Sequence, residues 1–168
     1  NPFEALCHAF STVGNGGFST RDASVGAFDS VAIEMVIAVF MIICAINFAS
    51  HFLMLRERSL RVYLRDIETG PMLALIASSV LGLAAFLYLN GIYVSAGEAL
   101  RHAFFNTVSV ATSAGFSSQD YSAWPIFAPV WMLFLACIAS SAGSTGGGIK
   151  MVRALILVKQ AARELGRV

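Results

Sequence analysis

The amino-acid sequence predicts an all-α membrane protein assembled from a repeated unit: a span, a re-entrant helix with its loop, and a second span. Three observations carry this. Of 168 residues, 57% are hydrophobic and only 12% charged, with a mean hydropathy of +0.74, whereas an ordinary soluble domain carries about 25% charged residues. The charges are also clustered, because long apolar runs separate the few charged stretches, as happens where lipid replaces water around the middle of a protein. Finally, two apolar segments too short to cross a bilayer, Phe3 to Phe18 and Glu98 to Phe116, superpose without a gap at an offset of 98 residues.

These features exclude several classes. The net charge of +1 gives no reason to expect nucleic acid. Cys7, Cys44 and Cys137 are isolated and lack CxxC spacing, so neither a disulfide framework nor a zinc site is indicated, and they read as small packing residues. No pairing of nucleophile and base or metal cluster stands out, and enzymatic activity is not expected. The chain opens at Asn1 with no initiator Met and no basic leader, which reads as a piece of a longer protein.

Taken in order, residues 1-55 form a unit without its first span. A short helix over 3-13 leads into a loop at 14-18, and Val31 to Leu55 (VAIEMVIAVFMIICAINFASHFLML) is a continuous span, longer than the roughly 20 residues that cross a hydrocarbon core. Residues 56-70 form a loop. The second unit, 71-168, opens with a span over 72-89 introduced by Gly70-Pro71, where proline suits a first helical turn. A short helix over 98-111 and a loop at 112-116 follow. A last span over 125-165 is interrupted by the glycine-rich stretch 140-148. Four glycines there, Gly143, Gly146, Gly147 and Gly148, each cost a helix about 1 kcal/mol relative to alanine. The stretch 98 residues earlier, Ile43 to Ser50, has no glycine and is expected to stay helical.

Arg56, Arg58, Arg61 and Arg65 lie in the 56-70 loop, and Lys150, Arg153, Lys159, Arg163 and Arg167 lie at the C-terminal end. By the positive-inside rule both regions are cytoplasmic. Only Arg21 and Arg101 remain for the outer face, which Glu4, Asp22, Asp29, Glu98 and Asp120 make net acidic. An acidic vestibule raises the local concentration of cations.

The repeated segments carry the chemistry. Placing Gly17 over Gly115 aligns STVGNGGFSTRD (11-22) with SVATSAGFSSQD (109-120), so that Ala5 meets Ala103, Ser11 meets Ser109, Thr20 meets Ser118 and Asp22 meets Asp120. In both copies, small residues and glycine stand where a short helix ends inside the membrane. Non-helical backbone is tolerated at that depth only where it lines a water-filled cavity. Glycine supplies dihedrals that other residues resist, and inward-turned carbonyls replace the hydration shell of an alkali cation. The negative C-terminal ends of the two short helices favour the same cation. The alternative reading is a pair of glycine-rich caps at a membrane surface.

These stretches, together with HAFSTVGNGGFSTRDAS, NFASHF, ATSAGF and AGSTGGGIKMVR, make Phe3 to Val168 resemble the Trk/Ktr family of potassium uptake proteins, most closely its bacterial TrkH branch. The resemblance implies four consecutive span, pore helix, span units around one pore, as in potassium channels. This chain would supply part of the second unit and all of the third. It also implies potassium-binding filter carbonyls at Gly14, Asn15, Gly16, Gly17 and Phe18 and at Thr112, Ser113, Ala114, Gly115 and Phe116. The glycine-rich loop would gate the pathway through Ser140, Ser141, Gly143, Ser144, Thr145, Gly146, Gly147 and Gly148. Further implications are a homodimer in the bacterial inner membrane and a cytoplasmic nucleotide-binding regulatory subunit of the TrkA type, docking near Arg56 to Arg65 and the C-terminal helix. No cofactor is implied beyond potassium as the transported ion. One departure from the family is Gly14-Asn15-Gly16, a more flexible wall than Thr112-Ser113-Ala114.

Other residues read more quietly. GSTGGGIK invites comparison with a nucleotide-binding loop, but Met151 follows Lys150 where a Ser or Thr is needed. Glu34 is near enough to the outer end of its span to be interfacial. Asn47, Ser50 and His51 share a helical face and are expected to pack against a neighbouring helix. His8 and His102 are expected on the pore helices. Tyr121, Trp124 and Trp131 read as outer-interface anchors. Two rivals stay open: a proton-coupled secondary transporter with broken helices, and a non-conducting structural membrane subunit.

Overall fold

The computed structural model describes residues 1–166; Arg167, counted above toward orientation, and Val168 lie outside the described residues. Eight α-helices and two 3-10 turns make up the described regular structure, with no strand among the described residues. In chain order they are α1 (Pro2–Val13), a 3-10 turn (Ser24–Phe28), α2 (Val31–Ala45), α3 (Phe48–Glu57), α4 (Arg61–Arg65), α5 (Thr69–Leu89), α6 (Ala96–Ala111), a second 3-10 turn (Tyr121–Ala123), α7 (Phe127–Ile138) and α8 (Met151–Leu165).

Capping explains where the two short helices begin. The Asn1 side chain accepts from Phe3 N–H with Pro2 in the first turn, and the Ser95 side chain accepts from Gly97 N–H. α6 is the centre of the molecule. It packs against α5, α7 and α2, and Ala99, Ala103, Phe105, Asn106, Val108 and Ala111 along it are fully enclosed. Small residues on α6 allow close approach, while Met41, Met72, Phe105, Phe116 and Leu135 fill the space around them. α5 is 21 residues long and apolar on all sides, long enough to cross a hydrocarbon core. Its exposed Leu81 and Leu89 suit lipid.

The first expectation to fail concerns a span. The continuous span over 31–55 is two helices, α2 and α3, bent by 93° at Ile46 and Asn47. No glycine or proline breaks it; hydrogen-bond partners from elsewhere do. Ile46 is extended, Asn47 caps α3 by accepting from Ala49 N–H at 2.9 Å, and the last carbonyls of α2 are taken by donors outside the helix. Ala45 O accepts from Ser141 N–H at 3.0 Å, Cys44 O from Thr145 N–H at 3.3 Å, and Ile43 O is met by His51 Nε2 at 2.9 Å. The expectation that Ile43 to Ser50 stays helical gives way because the 140–148 loop supplies what a continuing helix would have supplied.

Glu34, in the first turn of α2, is buried and paired. Its carboxylate is 1% exposed and receives Arg101 of α6 in a two-pronged pair, Nε to Oε2 at 2.9 Å and Nη2 to Oε1 at 2.8 Å, while Nη2 also reaches Asp29 Oδ1 at 3.1 Å. His51 meets a neighbouring helix, α4, as expected, whereas Asn47 and Ser50 meet loop residues. Ser50 donates to Asp66 at 2.7 Å and His51 Nδ1 meets Tyr63 Oη at 2.7 Å, both in the connection that follows. Trp124 is buried, with its indole N–H on Tyr93 Oη at 3.2 Å, so it is not free to anchor at an interface; Trp131 donates to Ser79 at 3.0 Å.

A candidate ion pathway

The two loops repeat in backbone as they do in sequence. Asn15 and Gly17 have φ of 48° and 66°, and the equivalent Ser113 and Gly115 have 59° and 89°. The residues between them, Gly16 and Ala114, do not have positive φ. Alternation of this kind turns successive peptide groups toward one side of the chain. The hydrogen bonds match as well. Gly14, Asn15 and Gly16 N–H donate to Phe10, Thr12 and Ser11 O, and Thr112, Ser113 and Ala114 N–H donate to Val108, Val110 and Ser109 O. Each helix end thus absorbs the loop's donors. Among the described residues, no carbonyl of 14–18 or 112–116 accepts a hydrogen bond from the protein.

Side chains on the short helices hold the outgoing loop segments. His8 Nε2 meets Ser19 Oγ at 2.9 Å on the first copy. On the second, Asn106, the position equivalent to His8, donates to Ser118 Oγ at 3.1 Å and accepts from Ser118 N–H at 3.1 Å, while His102 Nδ1 reaches the same hydroxyl at 3.0 Å. His8 also stacks on Phe116, with ring centroids 5.9 Å apart. The copies touch directly: a Cβ on Gly17 would stand 2.0 Å from Ala114 O. The turn at 24–28 closes over them, with Gly26 N–H on Ser117 O at 3.0 Å. Gly115, by contrast, borders open space.

Ser140 to Gly148 lies against the helix-proximal ends of both loops. Asn15 Nδ2 donates to Thr145 Oγ1 at 2.9 Å, and Gly147 N–H donates to Ser113 Oγ at 2.6 Å. Asn15 and Ser113 are the equivalent positive-φ residues of the two copies. Gly146 sits so close to the Thr112 carbonyl that a Cβ there would be 3.0 Å from it. The segment is folded back under α7: Ser140 Oγ donates to Gly147 O at 2.6 Å, Ile149 N–H to Cys137 O at 2.6 Å, and Lys150 Nζ to Gly146 O. Gly143 and Gly148 have positive φ, and a side chain on Gly148 would meet the Ala136 and Cys137 carbonyls at 2.6 Å. Here glycine is needed for both conformation and space.

The structure therefore brings together Gly14 to Phe18, Thr112 to Phe116 and the Ser140 to Gly148 segment. Phe18 points away, 81% exposed, whereas its counterpart Phe116 is buried. Sequence reasoning gave no site role to Asn106, Ser118 and Lys150. Asn106 was findable, because it aligns with His8 on a helix otherwise rich in small and apolar residues.

Known proteins resemble this chain in sequence and fold. Residues 1–168 match the family described as TrkH, cation transport protein. The chain is similar to the Trk system potassium uptake protein TrkH of Salmonella typhimurium, 47% identical over 165 residues, covering 98% of this chain and 34% of that protein. It is likewise similar to the protein of the same name from Escherichia coli K12, 45% identical over the same coverage. The crystal structure of the potassium transporter TrkH from Vibrio parahaemolyticus superposes with a TM-score of 0.96 at 42% identity, over 99% of this chain and 36% of that one. The chain spans about a third of the length of the curated relatives it matches.

Proposed function

Because the chain belongs to the TrkH family of cation transport proteins, we propose that it forms part of a potassium uptake pathway across a bacterial inner membrane. In this reading, a hydrated ion enters the acidic outer vestibule and sheds water against the carbonyls of 14–18 and 112–116. The C-terminal ends of α1 and α6 add their negative potential there. The ion then passes the 140–148 loop, which acts as a gate. The observation that carries the reading is the pair of touching loops with matched backbone and carbonyls free of internal donors. Such oxygens at membrane depth are stable only if water or a cation satisfies them.

Gly115→Ser in the full transporter tests it. The site has room for a side chain but sits at φ 89°, so the variant pays about 1–2 kcal/mol of backbone strain and still assembles. The expected result is a several-fold loss of potassium preference over sodium in an uptake assay. Normal preference at normal protein yield would reduce the loops to structural caps.

The positive segments at 56–65 and 150–163 support cytoplasmic placement of those regions. The homodimer and the TrkA-type regulatory subunit docking on those segments extend the same reading. A second reading, a proton-coupled transporter, is favoured by the two broken helices, α2–α3 and α7–α8, since interrupted helices build midplane sites in such proteins. Potassium flux that is unchanged when the proton gradient is collapsed at fixed membrane potential would dismiss it.

A further inference from the structure

The 140–148 loop is fastened at both ends, but the two ends are fastened differently. Its second half bonds the filter loops through Thr145 and Gly147. Its first half bonds the corner where α2, α3 and α5 meet: Ser141 N–H on Ala45 O, Phe48 N–H on Gly143 O, and Ala142 N–H on Glu68 Oε2 at 2.7 Å. Two of these three contacts are backbone to backbone and move only with their helices. The third is an ionisable side chain. Glu68 is 8% exposed, at the entry to α5, and a charge-assisted bond from carboxylate to peptide N–H is about twice as strong as a neutral one.

Glu68 is itself positioned from the neighbouring connection. Its N–H donates to Asp66 Oδ1 at 3.0 Å, while Asp66 Oδ2 accepts from Ser50 of α3 at 2.7 Å and from Thr69 at 2.8 Å. Tyr63, on α4, meets His51 of α3 at 2.7 Å. The outward surface of this connection carries Arg56, Arg58, Arg61 and Arg65, all exposed. A continuous set of contacts thus runs from α4, which carries part of this basic surface, through Asp66 and Glu68 to the backbone of the glycine-rich loop.

We infer that Glu68 is a positioning residue that latches the loop through Ala142 N–H, so that the loop's place beneath the filter is set from segment 56–68. This rests on the reading of the loop as a gate. Moving the connection outward withdraws the carboxylate, and the first half of the loop is left with its backbone contacts and the weak Ser141 Oγ to Met72 Sδ contact.

Potassium flux through the full-length transporter, measured in proteoliposomes without its regulatory subunit, tests the latch. Glu68→Ala raises flux about tenfold, the shift expected when one charge-assisted bond is removed from the closed arrangement. Glu68→Gln, which keeps a weaker acceptor, gives a smaller rise of about two- to threefold. Potassium preference over sodium is unchanged in both. A merely structural role would instead lower flux together with yield. Flux at or below the unsubstituted level in well-assembled Glu68→Ala protein overturns the latch.

A variant lacking residues 145–147 separates the two readings. If it leaks while Glu68→Ala does not, only the latch fails; if it does not leak, the gate fails and the latch with it. Should Glu68→Ala not assemble, a cysteine placed at Ala142 in a background without other cysteines gives a second readout. A membrane-impermeant thiol reagent from the cytoplasmic side labels it faster in Glu68→Gln than with Glu68 present. Equal rates overturn the latch.

Discussion

Gly17 and Gly115 hold the same place in the two loops, yet substitution should tell them apart. A methyl group on Gly17 would stand 2.0 Å from the Ala114 carbonyl, backbone against backbone, whereas Gly115 faces open space. Gly17→Ala should therefore abolish accumulation of folded protein, and Gly115→Ala should accumulate near normally, as judged by yield and gel-filtration profile in detergent. Both glycines were legible in the sequence because their repetition at a fixed offset marks a backbone constraint. Their partners at positive φ, Asn15 and Ser113, were legible only as members of the loop, since nothing local separates them from their neighbours. The pairing of Glu34 with Arg101 was not legible, because the two are brought together by the packing of α2 on α6. Arg101→Leu leaves a carboxylate that is 1% exposed without its counter-charge. The expected loss is about 3 kcal/mol, at the low end for such pairs because Arg101 keeps contact with solvent. It should appear as a lowered unfolding temperature, and the double replacement of Glu34 and Arg101 by leucine should recover much of it.

At the scale of elements, α5 and α6 could be read from hydropathy and capping, and the interruption of the last span from its glycines. The break between α2 and α3 could not. Its cause is a set of donors roughly a hundred residues downstream, and the one local signal, Asn47 as a capping residue, is weak within an apolar run. The corner that follows depends on Asp66. Burial pushes its carboxyl up, but hydrogen bonds from Ser50, from Glu68 N–H and from Thr69 together hold it below its ordinary value of 3.8. A carboxyl depressed on folding stabilises above its unfolded value and stops doing so as pH falls through the folded one. The stability gap between the unsubstituted protein and Asp66→Asn should accordingly be constant from neutral pH down to about 5 and close in stronger acid. Thermal unfolding across that pH range measures it.

At the scale of the whole molecule, the glycine-rich loop is an interlock. It completes α2, holds the start of α3, takes the Glu68 carboxylate, and hydrogen-bonds one residue from each of the loops 14–18 and 112–116. Its composition was legible, but its role in shaping the first unit was not, because hydrogen-bond demand at a distant helix end leaves no mark on the loop's own residues. One consequence follows from the 93° bend between α2 and α3. That bend persists only while its carbonyls are paired, so the loop cannot drift away gradually without stranding several peptide groups at once. Amide hydrogen exchange at Phe48, Ser141 and Thr145 should then proceed at one shared rate. Single-molecule current through the assembled transporter should switch between discrete levels instead of rising and falling smoothly.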